Sequence, residues 1–271
     1  MSDIYLEIAK AKEERKSVAL AVITKTTGST PQKAGAKMLI YPDRTISGTI
    51  GGGVLEENVI TTAIECLRTR QTQTLQFELK IPKKGTHNNN LDMICGGNME
   101  VYIEPITPDP ILYLFGAGHI NLPIAQLAKL VGFKVVVIDS DKQYANQKRF
   151  PKSLADKIIV ADFKKAVAQL RFDESSYIVI ITRSHISDRE SLSACLKKNQ
   201  PVAYIGMIGS KRKIATIFAE LLKSGIPKKK LDMVYAPIGL DIGAETPEEI
   251  AVSILAELIA VSHRKMIKSR R

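Results

Sequence analysis

The 271-residue chain has no tryptophan, three cysteines and four histidines. Cys66, Cys95 and Cys195 are too few and too scattered for a disulfide framework, which fits a reducing compartment. No Cys-x-x-Cys and no His-x-x-x-His pair occurs, so a structural zinc site is not expected. No apolar run reaches the ~18 residues that cross a bilayer. The opening Met1-Ser-Asp-Ile-Tyr-Leu-Glu7 carries acids where a secretory leader has a basic and then an apolar stretch. The expected location is the cytoplasm, with no membrane contact.

No aromatic-rich stretch is present on which bases could stack. The formal net charge of +11 would suit nucleic acid, but much of it lies in local runs, Lys228-Lys-Lys230 and His263-Arg-Lys-Met-Ile-Lys-Ser-Arg-Arg271. Such runs read as solvated faces or frayed ends. No nucleic-acid partner is expected, although the charge could steer an acidic partner or an anionic cofactor.

What is present is a globular composition, 45% hydrophobic and 25% charged. Ile4 to Lys16 reads as an amphipathic helix, and Val18–Thr24, Ala36–Ile40 and Thr45–Ile50 as strands. Leu55, Val59, Ala63 and Leu67 have helical spacing. Leu75, Phe77 and Leu79, then Met99, Val101 and Ile103, alternate as half-buried strands do. Three prolines in Glu104-Pro-Ile-Thr-Pro-Asp-Pro110 make a stiff connector. The predicted organisation is a smaller α+β domain over 1–107 and a Rossmann-like domain over 111–271. In the latter, apolar strands (112–115, 134–139, 158–160, 177–181, 203–207) alternate with helices (120–131, 163–170, 188–197, 211–223). That pattern is α/β, a doubly wound parallel sheet covered on both faces. Thr246-Pro-Glu-Glu249 is a capping box opening a last helix.

The run Ile111-Leu-Tyr-Leu-Phe-Gly-Ala-Gly-His119 ends a strand and opens a helix. Gly116 permits the tight turn, Gly118 lets a pyrophosphate approach the backbone, and His119 lies at the helix start. Asn121 stands where a third glycine is usual. Asp139 closes the next strand, the place of an acid that binds ribose hydroxyls, which favours NAD or another adenine nucleotide over NADP. A turn without a ligand remains the other reading of this loop. Two further loops lie beyond strand carboxyl ends, Thr182-Arg-Ser-His-Ile-Ser-Asp188 with Arg183 and His185, and Ile208-Gly-Ser-Lys-Arg-Lys213 with Gly209, Ser210 and Lys211. Ser210 is also a good helix cap, and His185 could cap a helix or pair with Asp188.

In the first domain, Gly28-Ser-Thr-Pro31 and Ser47-Gly-Thr-Ile-Gly-Gly-Gly-Val-Leu-Glu56 stand out. Gly51, Gly52 and Gly53 between strand and helix suit a phosphate at exposed amides, or simply a tight turn. Cys95-Gly-Gly97 places a thiol in a glycine-flanked loop, where it could be a soft ligand or a small buried residue.

Taken together, these motifs resemble the XdhC/CoxI family, accessory factors of xanthine dehydrogenase and related molybdenum hydroxylases. The resemblance rests on Gly28-Ser-Thr-Pro31, Gly48-Thr-Ile-Gly-Gly-Gly53 with Glu56, Cys95-Gly-Gly97, Phe115-Gly-Ala-Gly-His119 and Thr182-Arg-Ser-His185. It continues through Tyr204-Ile-Gly-Met-Ile-Gly-Ser-Lys-Arg-Lys213 and Ala236-Pro-Ile-Gly-Leu-Asp-Ile-Gly-Ala-Glu-Thr-Pro-Glu-Glu249. It implies a factor that binds molybdenum cofactor, assists its sulfuration and inserts it into an apoenzyme, more chaperone than turnover enzyme. The implied partners are a molybdenum hydroxylase apoenzyme, a cysteine desulfurase and a second copy of the chain, as a homodimer. Many members carry a cysteine after the three glycines; Val54 stands here, which leaves Cys95 as the one thiol for a molybdenum contact. An NAD-dependent oxidoreductase and a nucleotide-sensing regulatory module are the alternatives. No Tyr-x-x-x-Lys pair lies where the first would need it.

Overall fold

The fold is that of a computed structural model, which describes residues 3–79 and 96–263. The chain divides into two compact units, 1–108 and 109–271.

Unit 1 is an antiparallel five-stranded sheet of order β3-β2-β1-β5-β4. Its elements are α1 (Ile4–Glu13), β1 (Val18–Gly28), β2 (Lys37–Ile40), β3 (Ile46–Gly48), α2 (Gly53–Thr69), β4 (Gln73–Leu79) and β5 (Gly97–Ile106). Side chains alternate across a strand, and β1 shows what that does. Ala19, Ala21 and Ile23 point toward α2, packing with Leu55, Val59 and Ala63. Val18 and Leu20 point to the other face, with Ala11 of α1 and Leu39. β1 runs four residues past the Thr24 limit suggested by its apolar run, because β5 pairs with it as far as Gly28, across a bulge between Ile23 and Lys25.

Unit 2 is a parallel five-stranded sheet of order β10-β9-β6-β7-β8. The strands are β6 (Ile111–Phe115), β7 (Lys134–Asp139), β8 (Lys157–Val160), β9 (Ser176–Ile180) and β10 (Tyr204–Met207). Between and after them run α3 (Asn121–Leu130), α4 (Phe163–Gln169), α5 (His185–Lys197), α6 (Lys211–Lys223), α7 (Lys228–Leu231) and α8 (Pro247–Ser262). Both faces of the sheet are apolar and covered. Phe115, Ile138, Ile180 and Met207 pack under Phe163, Leu192, Ile214 and Ile217. Leu114, Val137 and Val179 pack under Ile124 and Ala128 of α3 and Ile254 and Leu258 of α8. The capping box at Thr246 and Glu249 forms in full. No described helix is long and apolar enough to cross a membrane.

The chain order β6-β7-β8 runs outward from β6, then returns to β9 on its other side. In such sheets the ligand crevice opens beyond the strand carboxyl ends, where this reversal occurs. Here that place is between β6 and β9.

Candidate functional site

In unit 2 the carboxyl edge carries the loops after β6, β7, β9 and β10. The first turn is held tightly. Gly116 has φ +107°, its amide donates to Ile138 O at 2.8 Å, and a Cβ there would sit 2.1 Å from Ile181 O. Only glycine fits that position. Asn121, fully buried, donates from Nδ2 to Gly116 O at 2.8 Å and to Ile181 O at 3.1 Å. The residue that breaks the glycine pattern is thus a tie across the switch point, joining the ends of β6 and β9.

Gly118 is a different case. Its φ is not in the left-handed region, and a Cβ built there meets nothing within 4 Å. The fold does not need a glycine at this position, and the space above it is open. α3 begins beside it without a side-chain cap and without an acid in its first turn, which leaves its first amides for water or an anion. His119 is exposed.

Asp139 ends β7 and is 3% exposed. Its Oδ2 accepts from Ala117 N at 2.9 Å, and its Oδ1 from Asp141 N at 3.0 Å. Arg183 reaches over from the loop after β9 to pair with Asp139 at 3.4 Å and Asp141 at 3.1 Å. Hydrogen bonding from the Gln143 amide outweighs burial and, with Arg183, holds the Asp141 carboxyl below its ordinary range.

The loop after β9 is shorter than the sequence suggests. α5 starts at His185, not Asp188, because Ser184 caps it by accepting from Ser187 N. His185 is exposed and does not pair with Asp188. Asp188 is fully buried and accepts from Thr182 N at 2.9 Å, Thr182 Oγ1 at 2.7 Å and Lys213 Nζ at 2.6 Å. This pair ties α5 to α6 beneath the loop after β10. Ser210 caps α6 by accepting from Lys213 N, Gly209 lies against the Lys213 side chain, and Lys211 is exposed. Further along, Tyr204 donates its hydroxyl to the buried Glu257, which also accepts from Gly239 N at 2.9 Å. That anchors the glycine-rich loop before α8.

In unit 1 three separate glycine motifs meet. Gly28 pairs with Gly97 across β1 and β5, and a Cβ on Gly97 would sit 2.4 Å from Thr27 O. Ser29 N donates to Gly96 O at 3.3 Å. The Pro31 ring lies where a Cβ on Gly51 would be, 2.6 Å away. Cys95 precedes Gly96 in the chain and lies outside the described residues. Cys66 and Cys195 are buried, and burial raises both thiols, which leaves neither as a thiolate.

At the three-glycine turn, part of the backbone is already occupied by the chain itself. Glu56, one turn into α2, folds back onto that helix start. Its Oε1 accepts from Thr49 Oγ1, from Ile50 N at 3.0 Å and from Gly51 N at 3.3 Å. Burial alone would raise the Glu56 pKa, but the bonds from Thr49, Gly52, Ile50 and Gly51 outweigh it and hold it below 4.5. The chain supplies its own anion there. What remains open is Gly52, with φ +80° and nothing within 4 Å of a Cβ, beside the half-exposed Val54. Among the described residues, no three His, Cys, Asp or Glu converge as a metal-ligand set.

The model of the XdhC Rossmann domain matches residues 112–258, more than half of the chain, and that of the XdhC and CoxI family matches residues 11–78. The chain belongs to the XdhC and CoxI family.

Among relatives of this XdhC-family chain, the Escherichia coli K12 protein YqeB, described as uncharacterized, is 36% identical over 261 residues, 96% of this chain and 46% of its own length. A Bacillus subtilis 168 protein, named as a probable subunit of xanthine dehydrogenase, is 37% identical over 164 residues, 60% of this chain and 46% of its own. The chain therefore spans about half the length of the curated relatives it matches. A solved structure described as a xanthine dehydrogenase from Bacillus halodurans is 25% identical with a TM-score of 0.51, covering 100% of this chain and 98% of that one. The XdhC Rossmann match includes Gly116, Gly118, Asp139, Arg183 and Gly209. The second match includes Gly28 and Gly51–Glu56, while Gly96 and Gly97 lie outside both.

Residues that sequence pattern does not single out here are Asn121 as a tie, Asp188 with Lys213, and Tyr204 with Glu257. Each pair is remote in sequence, apart from Asn121, whose signal was its place in the glycine pattern.

Proposed function

We propose that this XdhC-family protein is an accessory factor that binds molybdenum cofactor as cargo and assists its sulfuration and insertion into a xanthine dehydrogenase-type molybdenum hydroxylase. The observation that carries this reading is that the segment Gly28–Pro31 in unit 1 meets Gly96 and Gly97 at Gly28 and Gly51 at the Pro31 ring, with Cys95 next in the chain. Bare backbone and one soft thiol suit a pterin whose dithiolene holds the metal. Gly52 and Val54 offer an open surface to the ring system, while Glu56 holds the turn that presents them. The names borne by the Bacillus subtilis and Bacillus halodurans proteins support the choice of client. The partners are the hydroxylase apoenzyme, a cysteine desulfurase and a second copy of the chain as a homodimer, in the cytoplasm. The role is that of a chaperone with cargo.

The test is to purify the chain from a cofactor-sufficient host and assay bound molybdenum and pterin, alongside Cys95→Ser. Retention of both, lowered in the variant, is expected. Absence of both, with no effect on maturation of a molybdenum hydroxylase, contradicts the proposal.

A nucleotide seat at Gly116–His119 is the second part of the proposal, and Gly118 carries it. A glycine with no strain to relieve and no neighbour to avoid leaves room for a pyrophosphate at the start of α3. That seat suits an accessory factor and equally a nucleotide-sensing module. An oxidoreductase is less well supported, since its histidine candidates His119 and His185 are exposed and make no side-chain hydrogen bond among the described residues.

A further inference from the structure

The turn after β7 holds a cluster that the glycine loop does not require. Tyr144 lies five residues beyond Asp139, and two guanidinium groups lie against its ring. Arg183 is 4.8 Å from the ring centroid and Arg149 is 5.8 Å from it. Arg183 arrives from the loop after β9, and Arg149 from the same turn as Tyr144.

The two arginines differ in their partners. Arg183 is half-exposed and spans the carboxylates of Asp139 and Asp141. Arg149 makes no ion pair among the described residues, and its buried Nε has no hydrogen-bond partner. Arg149 is half-buried, and a guanidinium partly withdrawn from water without a counter-ion is unfavourable, which an aromatic face compensates only in part. Lys142 and Lys148 lie in the same turn. The Asp139 and Asp141 carboxylates at the tip of β7 already have protein partners.

In a Rossmann sheet the adenosine ribose lies over the tip of this strand. An acid there takes the 2′-hydroxyl, whereas an arginine there accommodates a 2′-phosphate. Asp139 stands in the acid's place, yet it is nearly inaccessible and bound by Ala117 N, Asp141 N and Arg183. The Arg183 guanidinium over the Tyr144 ring is half-exposed where Asp139 is not. Guanidinium forks match phosphate in shape and charge, and phosphate is the counter-ion Arg149 lacks.

We infer that Arg149, Arg183 and Tyr144 form a seat for the 2′-phosphate of a phosphorylated adenine dinucleotide, so that this Rossmann unit prefers NADP to NAD. The inference rests on the nucleotide seat proposed at Gly118, and it reverses the preference that Asp139 alone suggests.

Calorimetric titration of the whole chain with NADP⁺, NAD⁺ and inorganic phosphate tests it. NADP⁺ is expected to bind at least about tenfold more tightly than NAD⁺, with phosphate alone far weaker than either. Arg149→Ala is expected to abolish that preference while NAD⁺ affinity stays within a few-fold, and Arg183→Ala, which also releases Asp139 toward the ribose, is expected to abolish it by weakening NADP⁺ binding and strengthening that of NAD⁺. The two variants serve as separate tests should one of them not fold. NAD⁺ binding as tightly as NADP⁺ to the parent chain overturns the phosphate seat and leaves the nucleotide seat standing. Binding of neither nucleotide overturns both. A preference for NADP⁺ that survives in both folded variants removes the arginines from the explanation.

Discussion

Asn121 Nδ2 donates to the carbonyl of Ile181 across 3.1 Å, and to that of Gly116 at 2.8 Å, from a fully buried position. One side-chain amide therefore satisfies two carbonyls at the ends of neighbouring strands. Asn121→Ala strands both, and a buried unsatisfied polar group costs about 1–3 kcal/mol. Denaturant unfolding is expected to show a loss of about 2–4 kcal/mol. Asn121→Gly, which restores the usual third glycine, is expected to destabilise as much or more, since glycine is also unfavourable in a helix. A neutral Asn121→Gly would show that the tie contributes nothing.

The two glycines of the loop separate fold from ligand. Gly116→Ala drives a Cβ into Ile181 O at a positive φ, and soluble yield and thermal stability should collapse. Gly118→Ala meets open space. It should leave the melting temperature within a degree or two, or raise it slightly by narrowing the unfolded ensemble. Nucleotide binding should nevertheless fall, by an amount calorimetry reads directly. If Gly118→Ala unfolds the unit, the open space is not reserved for a ligand.

The lowered pKa of Glu56 has a pH signature. A carboxyl depressed in the fold contributes stability that is present above its ordinary value of 4.5 and is lost as pH falls through the folded value. The stability difference between the parent and Glu56→Gln should therefore be largest near neutrality and shrink below about pH 4.5. Urea unfolding of the two chains at about pH 7 and about pH 3.5 measures it. A difference independent of pH would mean that the charge on Glu56 is not what the amides of Ile50 and Gly51 hold.

Much of the fold is legible in sequence because each unit obeys a simple period. β6, β7 and β9 read as unbroken apolar runs since both of their faces are covered. β4 and β5 read by alternation since only one face meets α2. The start of α5 was less legible: Ser184, Ser187 and Asp188 can all cap a helix, and only the Ser184 bond to Ser187 N decides among them. The site was legible as motifs and not as contacts. Three glycines announce a close approach, but not that Glu56 occupies the amides. An acid at Asp139 announces a ribose site, but not that Ala117 N and Arg183 reach it first. Such pairings are set by tertiary geometry, which no local pattern encodes.

Tyr204 and Glu257 bear on the loop at Gly239. Burial first, then the Glu257 charge and hydrogen bond, push the Tyr204 phenol well above 10. Tyr204 is therefore expected to stay protonated in alkaline spectroscopic titration until the unit unfolds. Tyr204→Phe removes a bond to a buried carboxylate and should cost about 1.5–3 kcal/mol. Titration of every tyrosine as if exposed, in a chain still folded by circular dichroism, would contradict the buried pair.

The central proposal is cargo binding by unit 1. The most direct measurement is the molybdenum and pterin content of the chain purified from a cofactor-sufficient host, set beside Cys95→Ser. Both should be present in near-equal amounts in the parent, and both lowered in the variant without loss of folded protein. A parent chain that retains neither, and that leaves a molybdenum hydroxylase maturing as well without it as with it, contradicts the proposal.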